Sequence, residues 1–550
     1  MEGRENKENS SLKNLLDFLV FLGNNCRIMK GIKIISAIFA ASFLLVSCER
    51  IDIEGIGELN KIELWYGPYT NDAAPLPQDS VLIDFVEKDL GISLKTVPLP
   101  SNKDEQSEMI LEAARTNSLP DLFMVNRDVL STLVKENKVA RVDSLYAKMP
   151  ERTKQMYDET AIASSSFDGI SYGLSQSGSI DRNEGVLIRK DWLDRLGLSV
   201  PVTLDDYYNV MKAFTFSDPD GDGINNTYGW GAYIDIRAVE EGLGCRFAPF
   251  FGAFGVEGTF NASKKNPGLN IHKPEYKQAL EYINRLARER LIDPGWANYS
   301  KNDFRSAWKE GRFGMMREQN AAFALESNYK DFDEAFPYGE WILIDPPVGP
   351  KGQSSVGAYA TGYRTYAVSR RAQELGKLPV IARLLEWMST DGYVTVAYGE
   401  EAVNYMLDDF NNITIEGLPD PNMAYTQKAA APLLQLRNMV FHNSDRELQD
   451  RYPTWYTKTG REMSALKILR EMQKKRWTLA VNVPGISKEL KDFYEEGVRD
   501  FAAGRKDIDD WEVWLKEFDA QGGADWEKRC LLYAEENSLL MDEPVFELQD

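Results

Sequence analysis

Asp218, Asp220 and Asp222 alternate in the run Asp218-Pro219-Asp220-Gly221-Asp222-Gly223-Ile224-Asn225-Asn226-Thr227-Tyr228-Gly229. They occupy positions 1, 3 and 5 of a loop that turns at Gly223, so three carboxylates converge. Ile224 offers a backbone carbonyl at position 7 and Asn226 a side-chain oxygen at position 9. Oxygen donors in this order suit a hard cation, Ca2+ above all. Carboxylates this close repel one another unless a cation or a lysine neutralises them. The helix-loop-helix calcium site also takes a bidentate glutamate at position 12, where this chain has Gly229. The competing reading is an Asx-rich turn without metal, since Asp, Asn and Gly are turn formers in their own right.

Other chemistry finds little support. The chain has two histidines, His272 and His442, neither in a metal-ligand spacing, and no Gly-x-Ser-x-Gly elbow or cysteine–histidine pattern. Gly252-Ala253-Phe254-Gly255 lacks the Lys-Ser/Thr that a phosphate-cradling loop needs, so no ATP hydrolysis is expected of this chain. A glycoside hydrolase needs only two suitably spaced carboxylates, and 85 acidic residues always supply candidates, so that class stays open as the runner-up.

The N-terminal region reads as an address. Lys30 and Lys33 precede a thirteen-residue apolar run, Ile34 to Val46, that ends in Leu45-Val46-Ser47-Cys48. The run is too short to span a bilayer and the right length for a signal-peptide core. A small residue before cysteine matches lipoprotein cleavage, so residues 1–47 are expected to be removed and Cys48 to carry the lipid. The alternative is a buried apolar helix that ends in Ser-Cys. Met29 is the expected true start, because Met1 to Ile28 adds a second apolar patch that no signal peptide needs. Loss of residues 1–47 removes six basic and four acidic side chains and leaves 58 basic against 81 acidic, a formal charge of −23. That balance argues against nucleic acid and against a basic membrane-binding surface. Cys245 and Cys530 are then the only cysteines besides Cys48, too few for a disulfide framework, and they read as core thiols with one long-range bridge as the alternative.

The elements that would position these residues follow from periodicity. Residues 48–60 read as a tether, and the fold begins near Lys61. A strand through Ile62, Leu64, Trp65 and Tyr66 precedes a helix over Ser80–Leu90. A strand over Ile92–Val97, a helix over Glu105–Ala114 and a strand over Asp121–Val125 follow. Strand and helix in alternation predict an open α/β sheet with its crevice at the carboxyl ends of the strands. Further helices are expected at Glu275–Glu289, Asp303–Glu310, Lys488–Gly504, Ile508–Asp519 and Asp525–Glu535, with strands at Arg312–Met316 and Gly362–Ser369. Composition, 43% hydrophobic over 550 residues, can fill more than one core.

Several signatures stand in order along this frame: Ser118-Leu119-Pro120-Asp121-Leu122, Phe167-Asp168-Gly169-Ile170-Ser171-Tyr172-Gly173-Leu174, Ile188-Arg189-Lys190-Asp191-Trp192-Leu193-Asp194-Arg195-Leu196-Gly197-Leu198, the acidic loop, Gly311-Arg312-Phe313-Gly314-Met315-Met316 and Asp345-Pro346-Pro347-Val348-Gly349-Pro350. Their succession resembles the extracellular solute-binding proteins of family 1, lipoprotein receptors that hand oligosaccharides to ABC importers. The resemblance runs from Lys61 almost to Asn537. It implies an α/β, two-lobed periplasmic-binding-protein type II fold, with residues 61–180 plus 356–410 in lobe one and 181–355 plus 411–550 in lobe two. It also implies a carbohydrate ligand, permease subunits and through them an ATPase as partners, attachment to the membrane through the lipid, and no catalysis. A monomer is expected. Related receptors place calcium in such an acidic loop, and by that analogy Thr227 at position 10 joins the ligand set.

Sugar rings need aromatic faces, and hydroxyls need planar polar groups. Trp65 and Tyr66 end the first strand, and Trp230 and Tyr233 follow the acidic loop, so these four are expected at the ligand. Arg317 and Glu318 follow the strand Phe313–Met316, where a rim salt bridge is the equal alternative. Tyr359, Tyr363 and Arg364 lie where the family's chain returns from lobe two to lobe one, and Tyr405 is similar to positions near the family's cleft. An envelope lipoprotein that only docks to other proteins is a third reading, and it would not need cleft aromatics.

Overall fold

The computed structural model describes residues 57–67, 75–77, 79–157, 162, 165–167, 169–176, 183–234, 243–360, 363–440, 448–449, 453–481 and 483–547, with backbone alone at 359, 360, 363, 546 and 547. The expected signal peptide, Met29 and Cys48 lie outside the described residues. The chain divides into a leading unit, Met1–Lys61, in which residues 57–59 form a helical turn, and a main unit, Ile62–Asp550. Among the described residues no helix is long and apolar enough to cross a membrane.

The first half alternates as the periodicity predicts. Strand β1 (Lys61–Tyr66) leads to helix α1 (Val81–Leu90), β2 (Ser93–Pro98), α2 (Lys103–Arg115), β3 (Leu122–Val125), α3 (Arg127–Lys135) and β4 (Leu174–Gln176). Side-chain caps set these helix starts: Ser80 accepts from the Leu82 amide, Asn102 from Asp104 and Glu105, Asn126 from Val129. The chain continues through β5 (Glu184–Arg189), α4 (Lys190–Leu196), α5 (Leu204–Phe216), β6 (Tyr228–Gly231), α6 (Pro274–Arg288), α7 (Lys301–Lys309), β7 (Phe313–Gln319), α8 (Asn320–Ala324) and β8 (Trp341–Ile344). A capping box between Thr203 and Asp206 opens α5, the helix that delivers the chain to the acidic loop. Then come β9 (Ala358–Ala360), β10 (Tyr363–Val368), α9 (Leu378–Ser389), β11 (Arg476–Ala480), α10 (Lys488–Ala502), α11 (Trp511–Phe518), α12 (Ala524–Glu536) and β12 (Val545–Glu547).

Two mixed sheets organise the main unit. Lobe one holds the order β2-β1-β3-β10-β4, with β1 parallel to β3 (Leu64 opposite Leu122) and β10 antiparallel to both β3 and β4. Lobe two holds β8-β5-β7-β6, with β5 antiparallel to β7 (Glu184 opposite Gln319) and β6 parallel to β7 (Trp230 opposite Met315). β4 in lobe one is followed by β5 in lobe two, and β8 in lobe two is followed through β9 by β10 in lobe one, so the chain passes between lobes more than once. A third, three-stranded sheet, β9-β11-β12, joins residues far apart in sequence.

The cores follow the sheets. One apolar cluster packs Ile62, Leu64 and Leu122 with Leu174, Val368, Leu384, Leu434 and Val440. This cluster reaches along the chain as far as Val440. Its later part includes a 3-10 stretch, Lys428–Leu434, which has no helical or strand period to read. Lobe two packs Trp192, Phe214, Trp230, Phe250 and Ile283 with Tyr494, Trp511, Trp514 and Trp526 of the C-terminal helices. Neither Cys245 nor Cys530 is in a disulfide. Cys530 is a core thiol whose pKa burial pushes up to about 12, whereas Cys245 is only partly buried.

Candidate functional site

The acidic loop forms as its spacing implies. Carboxylate oxygens of Asp218, Asp220 and Asp222 lie within 4.8 Å of one another. Positive φ at Asp218, Gly221 and Gly223 (48°, 73° and 77°) curls the backbone around them. Asp218 accepts from the amides of Gly221 and Gly223 at 3.1 and 3.2 Å, and Asp222 accepts from Ile224 at 2.7 Å and from the Asn226 side chain at 3.4 Å. Burial, then the Asp218 hydrogen bond and the Asp222 charge, raise the Asp220 carboxyl above the ordinary value. One Asp220 oxygen is shielded from solvent and has no hydrogen-bond partner. The Arg195 guanidinium lies against the α-carbon of Gly221, where an added β-carbon would have to displace it. Thr227 is turned the other way: it is 3% exposed and donates its hydroxyl to the Phe214 carbonyl at 2.8 Å. Its side chain is thus occupied with the end of α5 instead of the loop.

A second polar constellation gathers at the carboxyl ends of β6 and β7, the edge where an open α/β sheet presents its crevice. Arg317 donates to Glu184 and, at 2.8 Å, to the Cys245 carbonyl. Arg246 pairs with Glu184 and with Glu318, each at 3.1 Å, and donates to the Tyr233 hydroxyl at 3.2 Å. Arg305 reaches Glu318 at 3.2 Å and Gln319 at 3.3 Å. Arg246 and Glu318 are wholly buried. Burial works to lower the Arg246 pKa, but Glu184 and Glu318 outweigh it and hold the pKa well above the ordinary value. Arg317 and Glu318 are therefore interior members of one ionic network, neither a rim pair nor a free clamp. Glu184 and Arg246 carry it equally and had no signal in the sequence, because a lone charged residue reads by default as surface.

The aromatic residues expected at the ligand are packed inward in this conformation. Trp65 ends β1 and sits in a lobe-one cluster, its indole donating to Glu63 at 2.9 Å. Tyr66 is buried in the adjoining cluster, accepts from the Leu76 amide, and has its pKa pushed up to about 12 by burial. Trp230 packs on Phe250 with ring centroids 4.7 Å apart, and Tyr233 on Phe304 at 5.2 Å. Tyr405 is 7% exposed in the lobe-one core. Strand-end position was legible; the side on which each ring falls depends on neighbours far away in sequence. Arg364 takes a positive φ of 54° at a register shift in β10, beside Tyr363. The side chains of Tyr359 and Tyr363 lie outside the described residues.

Comparison with known proteins agrees with this architecture. Residues 82–377, more than half of the chain, match the family model for bacterial extracellular solute-binding proteins. A polygalacturonan/rhamnogalacturonan-binding protein of Bacillus subtilis, YtcQ, is 28% identical over 250 residues, 43% of this chain and 46% of its own. The chain spans about half the length of the curated relatives it matches. The substrate-binding protein FusA of S. pneumoniae, in complex with kestose, superimposes with a TM-score of 0.53 at 17% identity over 87% of this chain and 99% of that one. The alginate-binding protein AlgQ2 without calcium ion gives 0.55 at 15% identity, over 86% and 98%. At these identities the structures speak for the fold alone, and the family match speaks for the rest: this chain belongs to the bacterial extracellular solute-binding proteins, a family of binders rather than enzymes.

Proposed function

We propose that this chain is the carbohydrate-capturing receptor of an ABC importer, anchored outside the cytoplasmic membrane through lipid on Cys48. The family match over 82–377 carries this reading, and the sugar ligands named for YtcQ, FusA and AlgQ2 support carbohydrate over other solutes. The lobes close on the sugar, and the closed form is the one the permease recognises. No bond in the sugar is made or broken, and the partner ATPase supplies the energy. A ligand that binds only the native state raises stability by about 2.7 kcal/mol at a hundredfold excess over Kd. A thermal-shift screen of the purified protein against neutral and acidic oligosaccharides should therefore give a clear, sugar-specific rise, with the sugar recovered intact. New reducing ends in the recovered sugar would instead favour a glycoside hydrolase, and no rise with any sugar would favour a docking lipoprotein.

The acidic loop supports a second, structural assignment. Three convergent carboxylates, one with an unpartnered oxygen, fit a calcium ion held by Asp218, Asp220, Asp222, the Ile224 carbonyl and Asn226. Bound there, calcium would neutralise the loop and tie the end of α5 to the start of β6. With Gly229 where a bidentate glutamate would stand and the Thr227 hydroxyl turned inward, the donor set is lean and the expected affinity modest. Chelation should lower the melting temperature and open the 218–228 loop to protease, and added calcium should restore both. An unchanged melting temperature and digestion pattern after exhaustive chelation would leave the loop as a plain turn.

A further inference from the structure

The rung beyond Gln319–Glu184 in the β5/β7 ladder brings two asparagines together. The Asn320 amide donates to the Asn183 carbonyl at 2.9 Å, so the two residues stand opposite each other, and opposite residues of an antiparallel pair share a face of the sheet. Asn320 is fully buried and Asn183 is 7% exposed. Yet both polar atoms of the Asn320 carboxamide and the Asn183 Nδ2 lack any hydrogen-bond partner. Buried amides are almost always satisfied, so a pair left with two donor groups and an acceptor is kept for something that arrives. The pair lies just past the carboxyl end of β7, and Asn183 is the first described residue after the passage from lobe one. The crevice of an open α/β sheet lies at this edge, which is where a ligand would reach the pair.

The geometry points to Asn183 and Asn320 as a subsite that grips vicinal hydroxyls of an uncharged sugar residue. This rests on the receptor reading above and narrows its substrate. Each sugar hydroxyl both donates and accepts, which matches a carboxamide set in fixed orientation beside an NH2 group. Among the described residues, a carboxylate would find the cations near this face already engaged. By the pleat, Glu318 is the charged residue of β7 that shares the face of Asn320, and it is already paired with Arg246 and Arg305. Arg317, two residues from Gln319, faces the other side with Glu184. Arg246 is closed off, wholly buried with its guanidinium 5.0 Å from the Tyr233 ring centroid and 5.4 Å from that of Phe304.

The test compares the intact protein with Asn320→Ala and Asn183→Ala variants by calorimetric titration with kestose and neutral gluco- and manno-oligosaccharides, and with galacturonate and alginate trimers. Melting temperature without ligand is measured alongside. The expected result is binding of at least one neutral sugar, weakened tenfold or more in each variant, with the ligand-free melting temperature unchanged or raised, because the removed amides had no partner to lose. A variant that binds as tightly as the parent, or a parent that binds only the uronate trimers, overturns the subsite while leaving the receptor reading intact. No binding of any sugar by the parent overturns both. Should an alanine variant melt early, Asn320→Leu, which fills the space without polar atoms, decides: unaltered affinity in that variant rejects the assignment.

Discussion

Replacing Glu318 by alanine should destabilise lobe two by about 3–5 kcal/mol, the cost of stranding a buried charge. Glu318 is wholly buried and accepts from two guanidiniums, Arg246 at 3.1 Å and Arg305 at 3.2 Å. Arg246 is itself fully buried, so removing the carboxylate leaves it, among the described residues, Glu184 as the one carboxylate partner, which Arg317 already engages. Urea denaturation of the purified protein, followed by the fluorescence of the lobe-two tryptophans, measures the loss. Glu318→Gln keeps an acceptor in place and should lose less. Arg305→Ala, which removes a partly exposed partner, should lose least. A Glu318→Ala protein of parental stability with weakened sugar binding would reverse the assignment and make Glu318 a ligand contact.

How far the sequence could be read shows in where the expectations and the structure part. Amphipathic periods located α6 and α7 and the three C-terminal helices to within a few residues, because a helix that buries one face writes that face into its own spacing. The acidic loop was equally local: its carboxylates converge through their own backbone turns. What escaped was long-range. The β9-β11-β12 sheet pairs Ala358 with Thr478, and neither three-residue strand, β9 or β12, has length enough to show a period. The ionic network joins Glu184, Arg246, Arg305, Arg317 and Glu318 from four separate segments, and no spacing rule connects them. The aromatics fall between these cases. Trp65 and Tyr66 do end a strand at the crevice edge, but whether a terminal ring faces ligand or core is decided by what packs above it.

Trp230 makes that difference measurable, and alanine there should cost about 3–5 kcal/mol through the cavity it leaves. The indole is fully buried in the lobe-two core against Phe250, and its backbone ties β6 to the segment after α6, donating to the Leu291 carbonyl at 2.9 Å and accepting from the Asp293 amide at 2.8 Å. Its ring nitrogen has no hydrogen-bond partner, so Trp230→Phe loses volume and no polar contact, and should retain most of the stability. A stacking residue in a sugar site predicts the opposite order: alanine would abolish binding in a protein that melts normally. Thermal melting and oligosaccharide titration of the two variants separate the cases. The expected pattern is a steep loss of melting temperature in Trp230→Ala, a small one in Trp230→Phe, and sugar affinity in Trp230→Phe close to that of the parent, because the ring is packed in the lobe-two core against Phe250.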